Sequence, residues 1–480
     1  NDFRPETGVT AFRWTATEVE RALGAEPGGD GEYTSVSTDT RNIPAGSLFV
    51  ALRGANFDAH DFIAGAAEAG ATGAVVSRLP AEAPAGMRLF LVDDTLHALG
   101  LLARHRRRAL GGRVVAVAGS NGKTTTKELL RAALSPRFRV HATAGNLNNQ
   151  VGVPLTLLAA PEDAEVLVIE TGTNEPGEIA ILGAIAEPDA ALITSIGEEH
   201  LEGLGSIAGV LEEELAILPS IRAGGSGFVA EEPPELAARA RAILGDRLRV
   251  AGFGESADLR PEGEVKVRPN GSTEWRFRGV DVHVPLPGQH NVGNALLALG
   301  VAEALGVPLA DAARGIGEMT APKMRNEWRR IGTLGVLADC YNSNPPSLRA
   351  AVGLLASIPS DGSKVAIVGT MRELGDHAES LHREAAEQIA ARVGHGIDRV
   401  VATGDFVAAF SGLAAGLGDR LVSAADPMEA YDALRPHLRG DETILLKGSR
   451  GVALERIIPL LERDFDGSAN DGATNPHAGA

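Results

Sequence analysis

A single cysteine, Cys340, stands in 480 residues, which excludes an intramolecular disulfide and a thiolate zinc cluster and fits a reducing compartment. Basic charge is also in short supply. The 45 Lys and Arg face 63 Asp and Glu, a formal net charge of −18, and that balance argues against a nucleic-acid or anionic-membrane partner. No run of about 18 apolar residues occurs. The opening Asn1-Asp2-Phe3-Arg4-Pro5 lacks the basic-then-apolar order of a secretory signal, so a soluble, cytoplasmic protein is expected. An opening Asn rather than Met leaves the true start of the chain open. Aromatic residues are scarce at 4%, and with 58 Gly and many Ala-rich segments this favours helices packed closely on sheets over an all-β sandwich. What is present is ordinary globular material, 44% hydrophobic and 22% charged, which excludes disorder throughout. At roughly 150 residues per domain the length suggests about three domains.

The order of elements points to α/β architecture. Val114 to Ala118 is a short apolar run ending in Gly119, and Thr124 to Leu134 reads as a helix of good formers. Similar runs recur at Val166–Ile169 and Ala191–Ile193, each followed by Gly and polar residues, as parallel strands buried on both faces would be. Their C-terminal ends are expected to carry the chemistry. A second series starts near residue 331, with runs at Val336–Ala338, Val365–Val368, Val400–Ala402 and Ile444–Leu446. Between them Leu381, Ala385, Ile389 and Val393 recur every fourth residue, one face of a helix packed on a core. Pro80 to Gly86 reads as a turn inside the first unit. The expected division is 1–111, 112–321 and 322–463. The Gly-, Asn-, Asp- and Ala-rich stretch 464–480 has almost nothing to bury and is expected to be disordered.

Gly119-Ser120-Asn121-Gly122-Lys123-Thr124-Thr125-Thr126, between a predicted strand and a predicted helix, reads as a phosphate-binding loop. Its glycines let backbone N–H groups turn toward phosphate oxygens and the helix start adds partial positive charge. Lys123 supplies a mobile cation and Thr124 a hydroxyl for Mg²⁺. The spacing is the short G-x-x-G-K-T form, since Val117 stands where the longer form has its first glycine. Mg²⁺ in such a site keeps phosphates and water among its ligands and needs few protein oxygens. Glu170 suits the task, closing the Val166–Ile169 run before Thr171-Gly172-Thr173. His200 lies in the loop after the next strand.

With Thr143 to Pro154 (TAGNLNNQVGVP) and Glu198-Glu199-His200-Leu201-Glu202, the loop resembles the Mur ligases of peptidoglycan synthesis. Gly288 to Ala295 (GQHNVGNA), Asp339 to Pro345 (DCYNSNP) and Leu446-Lys447-Gly448-Ser449-Arg450 extend the likeness, which runs from about Trp14 to about Leu461. The resemblance implies a three-domain Mur ligase architecture, with a central P-loop ATP-binding domain on a parallel sheet and a C-terminal Rossmann-like domain. It implies an ATP- and Mg²⁺-dependent amide ligase that phosphorylates the terminal carboxylate of UDP-N-acetylmuramoyl-tripeptide. The amine of D-alanyl-D-alanine then attacks the acyl phosphate. By the same resemblance Gly119, Ser120, Asn121, Gly122, Lys123, Thr124, Thr125, Asn291, Asn294, Arg325 and Asp339 would meet ATP, with Lys123, Glu170 and His200 catalytic and Thr124, Glu170 and His200 on magnesium. Ser37, Asp39, Arg41, Asp58 and His60 would clamp the UDP-sugar substrate from the first domain. Asn148, Asn149, Tyr341, Asn342, Asn344 and Lys447 would serve the remaining substrate contacts. A monomer is the family's expectation.

Three positions depart from the pattern. Where many Mur ligases carry a carbamoylated lysine after the His-Leu-Glu segment, this chain has Glu214 in Leu211-Glu212-Glu213-Glu214-Leu215. A carboxylate already has the charge and oxygens that carbamoylation confers, so Glu214 is expected to replace the modified residue as a catalytic and magnesium-binding group, while Glu212 and Glu213 are expected to face water. Ala59 replaces a common Gly in the Asn56 to Asp61 turn, and Thr370 replaces the usual Asp before Met371-Arg372-Glu373, near the dipeptide site. Cys340 reads as a small core residue. Two rivals stay open: a related ligase of folylpolyglutamate synthase type, and a P-loop protein that binds nucleotide without ligating anything.

Overall fold

The computed structural model describes residues 13–26, 28–54 and 57–466. In the first unit β1 (Trp14–Thr15) pairs antiparallel with β2 (Glu32–Tyr33). A four-stranded parallel sheet follows in chain order, β3 (Val36–Ser37), β4 (Leu48–Val50), β5 (Gly73–Val76) and β6 (Arg88–Leu91). Pro80 to Gly86 lies in the loop between the last two strands. The helix Thr95–Ala109 is capped by Asp94, whose carboxylate accepts from the N–H groups of Leu96 and His97. Its last turn ties the first unit to the next: buried Arg107 lies 2.7 Å from Asp189, and Arg104 and Arg108 both bind Glu187.

The central unit holds a six-stranded parallel sheet in the order β12-β11-β10-β7-β9-β8. Its strands are β7 (Arg113–Ala118), β8 (Val140–Ala142), β9 (Val166–Glu170), β10 (Ala190–Ile193), β11 (Ser226–Ala230) and β12 (Leu248–Ala251). The apolar run in β7 is continuous because both faces are covered. Val115 and Val117 join a core with Leu129, Leu130 and Leu296, while Ala116 and Ala118 face Ile179 and Leu236 on the other side. That is the two-residue period of a strand. An antiparallel sheet of β13 (Glu262–Val267), β14 (Thr273–Phe277) and β15 (Val280–Val284) leads to the buried helix His290–Ala304, which lies against the helix Lys123–Leu134.

The third unit is a six-stranded sheet in the order β16-β17-β21-β18-β19-β20. Strands β16 (Glu327–Ile331) and β17 (Leu334–Asp339) are antiparallel, and β21 (Thr443–Lys447), β18 (Lys364–Val368), β19 (Arg399–Ala402) and β20 (Leu421–Ser423) continue parallel.

Some details differ from the sequence reading. Leu381, Ala385 and Ile389 lie on the helix Ala378–Ala390, but Val393 comes after its end and reaches the same core from a turn. The terminal helix runs Ile458–Phe465, past the expected start of disorder at Asp464. Asp464 is held there by Tyr431, 2.7 Å away, and Arg435, 3.0 Å away; residues 467–480 lie outside the described residues. In the expected 56–61 turn, Asn56 is likewise outside them, and Ala59–Phe62 forms a 3₁₀ turn rather than a simple loop. Ala59 is buried without a left-handed backbone, so nothing there requires glycine.

Candidate active site

The C-terminal ends of the central and third sheets open onto one cleft of about 810 Å³. The chain leaves β7 through Gly119 and enters the helix Lys123–Leu134 at Gly122, both at positive φ. Neither tolerates a side chain: a Cβ at Gly119 would fall 2.4 Å from Thr194 Oγ1, and one at Gly122 would fall 2.9 Å from Asn294. Below the loop, Glu214 is wholly buried and accepts the Gly119 N–H at 2.7 Å. The rest of the loop is pinned by β10's exit. Asn121 N–H donates to Ser195 Oγ, and Ser120 Oγ accepts from Gly197 N–H. Lys123 folds back onto the carbonyls of Gly119 and Ser120 and lies 3.6 Å from Glu199. Burial alone would lower the Lys123 ammonium, but Glu199, Glu214 and Glu170 outweigh it and its pKa lies above the usual value. Burial raises Glu199 and takes Glu214 to about 7, with Lys123 opposing both.

Glu170, 2% exposed at the end of β9, accepts from Thr124 Oγ1 at 3.2 Å and Asn148 Nδ2 at 3.0 Å. Among the described residues no three His, Cys, Asp or Glu side chains gather closely enough to hold a metal ion alone. Thr124 and Glu170 come together, whereas His200 pairs with Glu373 and Glu214 with the loop. The donors nevertheless suit a cation that shares its shell with phosphates: Oε2 of Glu170 and Oε1 of Glu214 are buried without a hydrogen-bond partner.

Across the cleft, Asp339 at the end of β17 and Lys447 at the end of β21 form a buried pair at 2.8 Å, and Lys447 also donates to the Asn342 carbonyl. Arg325 stacks on the Tyr341 ring, its guanidinium carbon 4.1 Å from the centroid. Asn291 and Asn294 form a buried amide chain behind the phosphate loop, Asn294 donating to Asn291 and Asn291 to the Pro287 carbonyl.

This arrangement has close counterparts. Family models described as the Mur ligase family catalytic domain, the Mur ligase middle domain and the Mur ligase glutamate ligase domain match residues 32–107, 117–302 and 324–450. The chain is 37% identical to the UDP-N-acetylmuramoyl-tripeptide--D-alanyl-D-alanine ligase of Bacillus subtilis (strain 168), over 88% of this chain and 92% of that one. The chain belongs to the Mur ligase family. A crystal structure of MurF from Acinetobacter baumannii superposes with a TM-score of 0.84 at 30% identity, covering 95% of this chain and 100% of that one. MurF ligase from Thermotoga maritima in complex with ADP gives 0.78 at 27% identity, over 90% and 98% of the two chains.

Within this Mur ligase frame the expected site residues divide. The phosphate-loop residues Ser120 to Thr125, together with Asn148, Asn149, Glu170, His200, Asn291, Asn294, Arg325, Asp339, Tyr341, Asn342 and Lys447, line the cleft, with Gly119 and Glu214 just beneath the loop. Asn344 does not line it. Its side-chain oxygen caps the helix Pro345–Ser357 by accepting from Ser347 N–H, while its Nδ2 is buried without a hydrogen-bond partner. The five first-unit candidates also lie away from this cleft. Arg41 and Asp39 form a forked ion pair, with Ser37 Oγ on the Asp39 backbone. His60 is buried, its Nδ1 2.6 Å from Asp58 and its Nε2 accepting from Ser77 N–H.

Of the three glutamates, Glu212 is exposed and paired with Arg239, but the expectation that Glu213 faces water is wrong. Glu213 is buried and accepts from Gly177 N–H, Ile179 N–H and Thr173 Oγ1, satisfying the start of the helix Glu178–Ala186. Thr370 accepts from Asp405 N–H, so its hydroxyl serves a neighbouring loop. Two residues went unassigned in the sequence reading: Glu199, although it stands within the quoted Glu198 to Glu202 segment, and Lys127, one turn after Lys123 and 3.8 Å from Glu170. The i, i+4 spacing of the lysines was their available signal.

Proposed function

We propose that this chain joins D-alanyl-D-alanine to UDP-N-acetylmuramoyl-tripeptide, converting ATP to ADP and phosphate. The observation that carries this reading is the single cleft with a phosphate-binding loop on one wall and the Asp339–Lys447 edge on the other. The relatives' names supply the substrates. A carboxylate is a poor electrophile and is repelled by a triphosphate. Lys123 and the N–H groups at the start of the helix Lys123–Leu134 offset that repulsion and hold the γ-phosphoryl group in line for attack by the tripeptide carboxylate oxygen. ADP leaves; the dipeptide amine then attacks the acyl carbon, and phosphate departs with one former carboxylate oxygen. Magnesium, when bound, would supply further charge neutralisation at the phosphates, held by Thr124, Glu170, His200 and the free oxygen of Glu214.

Asn291, Asn294, Arg325 and Asp339 would meet the nucleoside side of ATP, and Asn148, Asn149, Tyr341, Asn342, Asn344 and Lys447 the acyl and acceptor groups. Ser37, Asp39, Arg41, Asp58 and His60 would serve the UDP end from the first unit, with domains divided near 111 and 321. A cytoplasmic monomer without nucleic-acid or membrane partners completes the reading. Among the described residues no helix is long and apolar enough to cross a membrane. Phosphate release from ATP should require both UDP-N-acetylmuramoyl-tripeptide and D-alanyl-D-alanine, with a product heavier by one dipeptide less water. Release that ignores the dipeptide, or ATP binding without turnover, would sink this assignment.

A further inference from the structure

The segment Glu198 to Glu202, beyond β10, is gripped from the third unit at three points. Arg349 on the helix Pro345–Ser357 lies 3.0 Å from Glu198. Gly375 sits so near that a Cβ there would meet the Glu202 Cα at 3.1 Å. Between these contacts Glu373 Oε2 lies 3.0 Å from Nδ1 of His200. Both partners hold left-handed backbones, φ +48 at His200 and +66 at Glu373, a conformation that non-glycine residues keep only where the surroundings over-determine it. The other ring nitrogen, Nε2, lies beside Glu199. It is 3.9 Å from Glu199 Oε2, and Glu199 Oε1 is 3.6 Å from Lys123.

A histidine that serves a divalent cation through one nitrogen usually donates its other N–H to a carboxylate, which fixes both tautomer and ring plane. We propose that Glu373 is such a positioning residue, reaching from the third unit to hold Nδ1–H of His200 so that the Nε2 lone pair is held ready for the cation that accompanies the nucleotide only while the third unit is docked. The inference rests on the ligase reading, which is what puts magnesium and phosphates beside Nε2. Its consequence is a control on timing. With the third unit undocked, His200 is free to turn, and the central unit alone is poorly set to transfer phosphoryl groups to water.

The test uses manganese counted by electron paramagnetic resonance in the presence of ADP, with the full chain. Glu373→Ala should weaken manganese binding about 10- to 100-fold, and Glu373→Gln, whose carbonyl oxygen still accepts from Nδ1–H, should stay within about threefold of the wild type. Isotope-edited NMR of the wild type with ADP and Mg²⁺, which needs no variant to fold, should show His200 with its proton on Nδ1. Unchanged manganese affinity in Glu373→Ala, a Gln variant as impaired as the Ala variant, or a proton on Nε2 in the wild type overturns the proposal alone. A wild type that binds neither ADP nor manganese overturns the ligase reading and this proposal with it.

Discussion

Glu213 and Glu214 are neighbours on one helix with opposite tasks. Glu213 spends both oxygens on the start of the helix Glu178–Ala186, whereas Glu214 spends one on Gly119 N–H and keeps the other buried and unpartnered. Replacing Glu214 by Gln keeps an acceptor for Gly119 but removes the charge. The expected outcome is near-normal thermal stability with a several-fold rise in the Mg²⁺ concentration needed for half-maximal turnover. If Glu214→Ala leaves turnover and magnesium dependence unchanged, Glu214 is not the substitute for the modified lysine. Cys340 gives a simpler check. It is 1% exposed in the third unit's core, and burial pushes its thiol up to about 12. The folded protein should therefore resist thiol reagents at neutral pH and react only in denaturant; rapid labelling of the native chain would contradict this packing.

Among the elements, the helix Thr95–Ala109 does more than cover a sheet. Arg108 and Arg104 converge on Glu187 and hold its carboxyl well below the usual range, at about 2. A depressed carboxylate adds stability above its unfolded pKa and loses it as pH falls through the folded value. Glu187→Gln should thus lower stability at pH 7 by about 1–2 kcal/mol, reduced from the full shift because both arginines are partly exposed, and the difference should vanish as pH falls from about 4.5 toward 2. Thermal melts across that range would show it; a pH-independent difference would not fit. Elements of this kind were legible in sequence where one physical signal dominated. The apolar runs of β7, β9 and β10 and the Gly119 to Thr126 loop are examples, because burial on both faces and a phosphate turn each leave a local pattern. Glu213 was misread because its burial is decided by the backbone N–H groups it meets, and those of Gly177 and Ile179 lie 36 and 34 residues away along the chain. The burial of His60 was not legible either, because its hydrogen bond from Ser77 depends on a fold that brings residue 77 beside residue 60.

At the scale of the whole molecule, a parallel sheet and a mixed sheet present the C-terminal ends of their parallel strands to one space, and neither edge alone has the groups for the proposed reaction. The central edge supplies the loop, Lys123 and Glu170; the third supplies Asp339, Lys447 and the Glu373 contact to His200. Such a division makes docking of the third unit part of the proposed chemistry, since water excluded from the cleft is water that cannot consume an acyl phosphate. The most direct measurement of that claim follows the oxygen atoms. UDP-N-acetylmuramoyl-tripeptide carrying heavy oxygen in its terminal carboxylate is turned over with ATP and D-alanyl-D-alanine, and the released phosphate is weighed. An acyl-phosphate route predicts one labelled oxygen in each phosphate formed from fully labelled carboxylate. Product formed with unlabelled phosphate would contradict it.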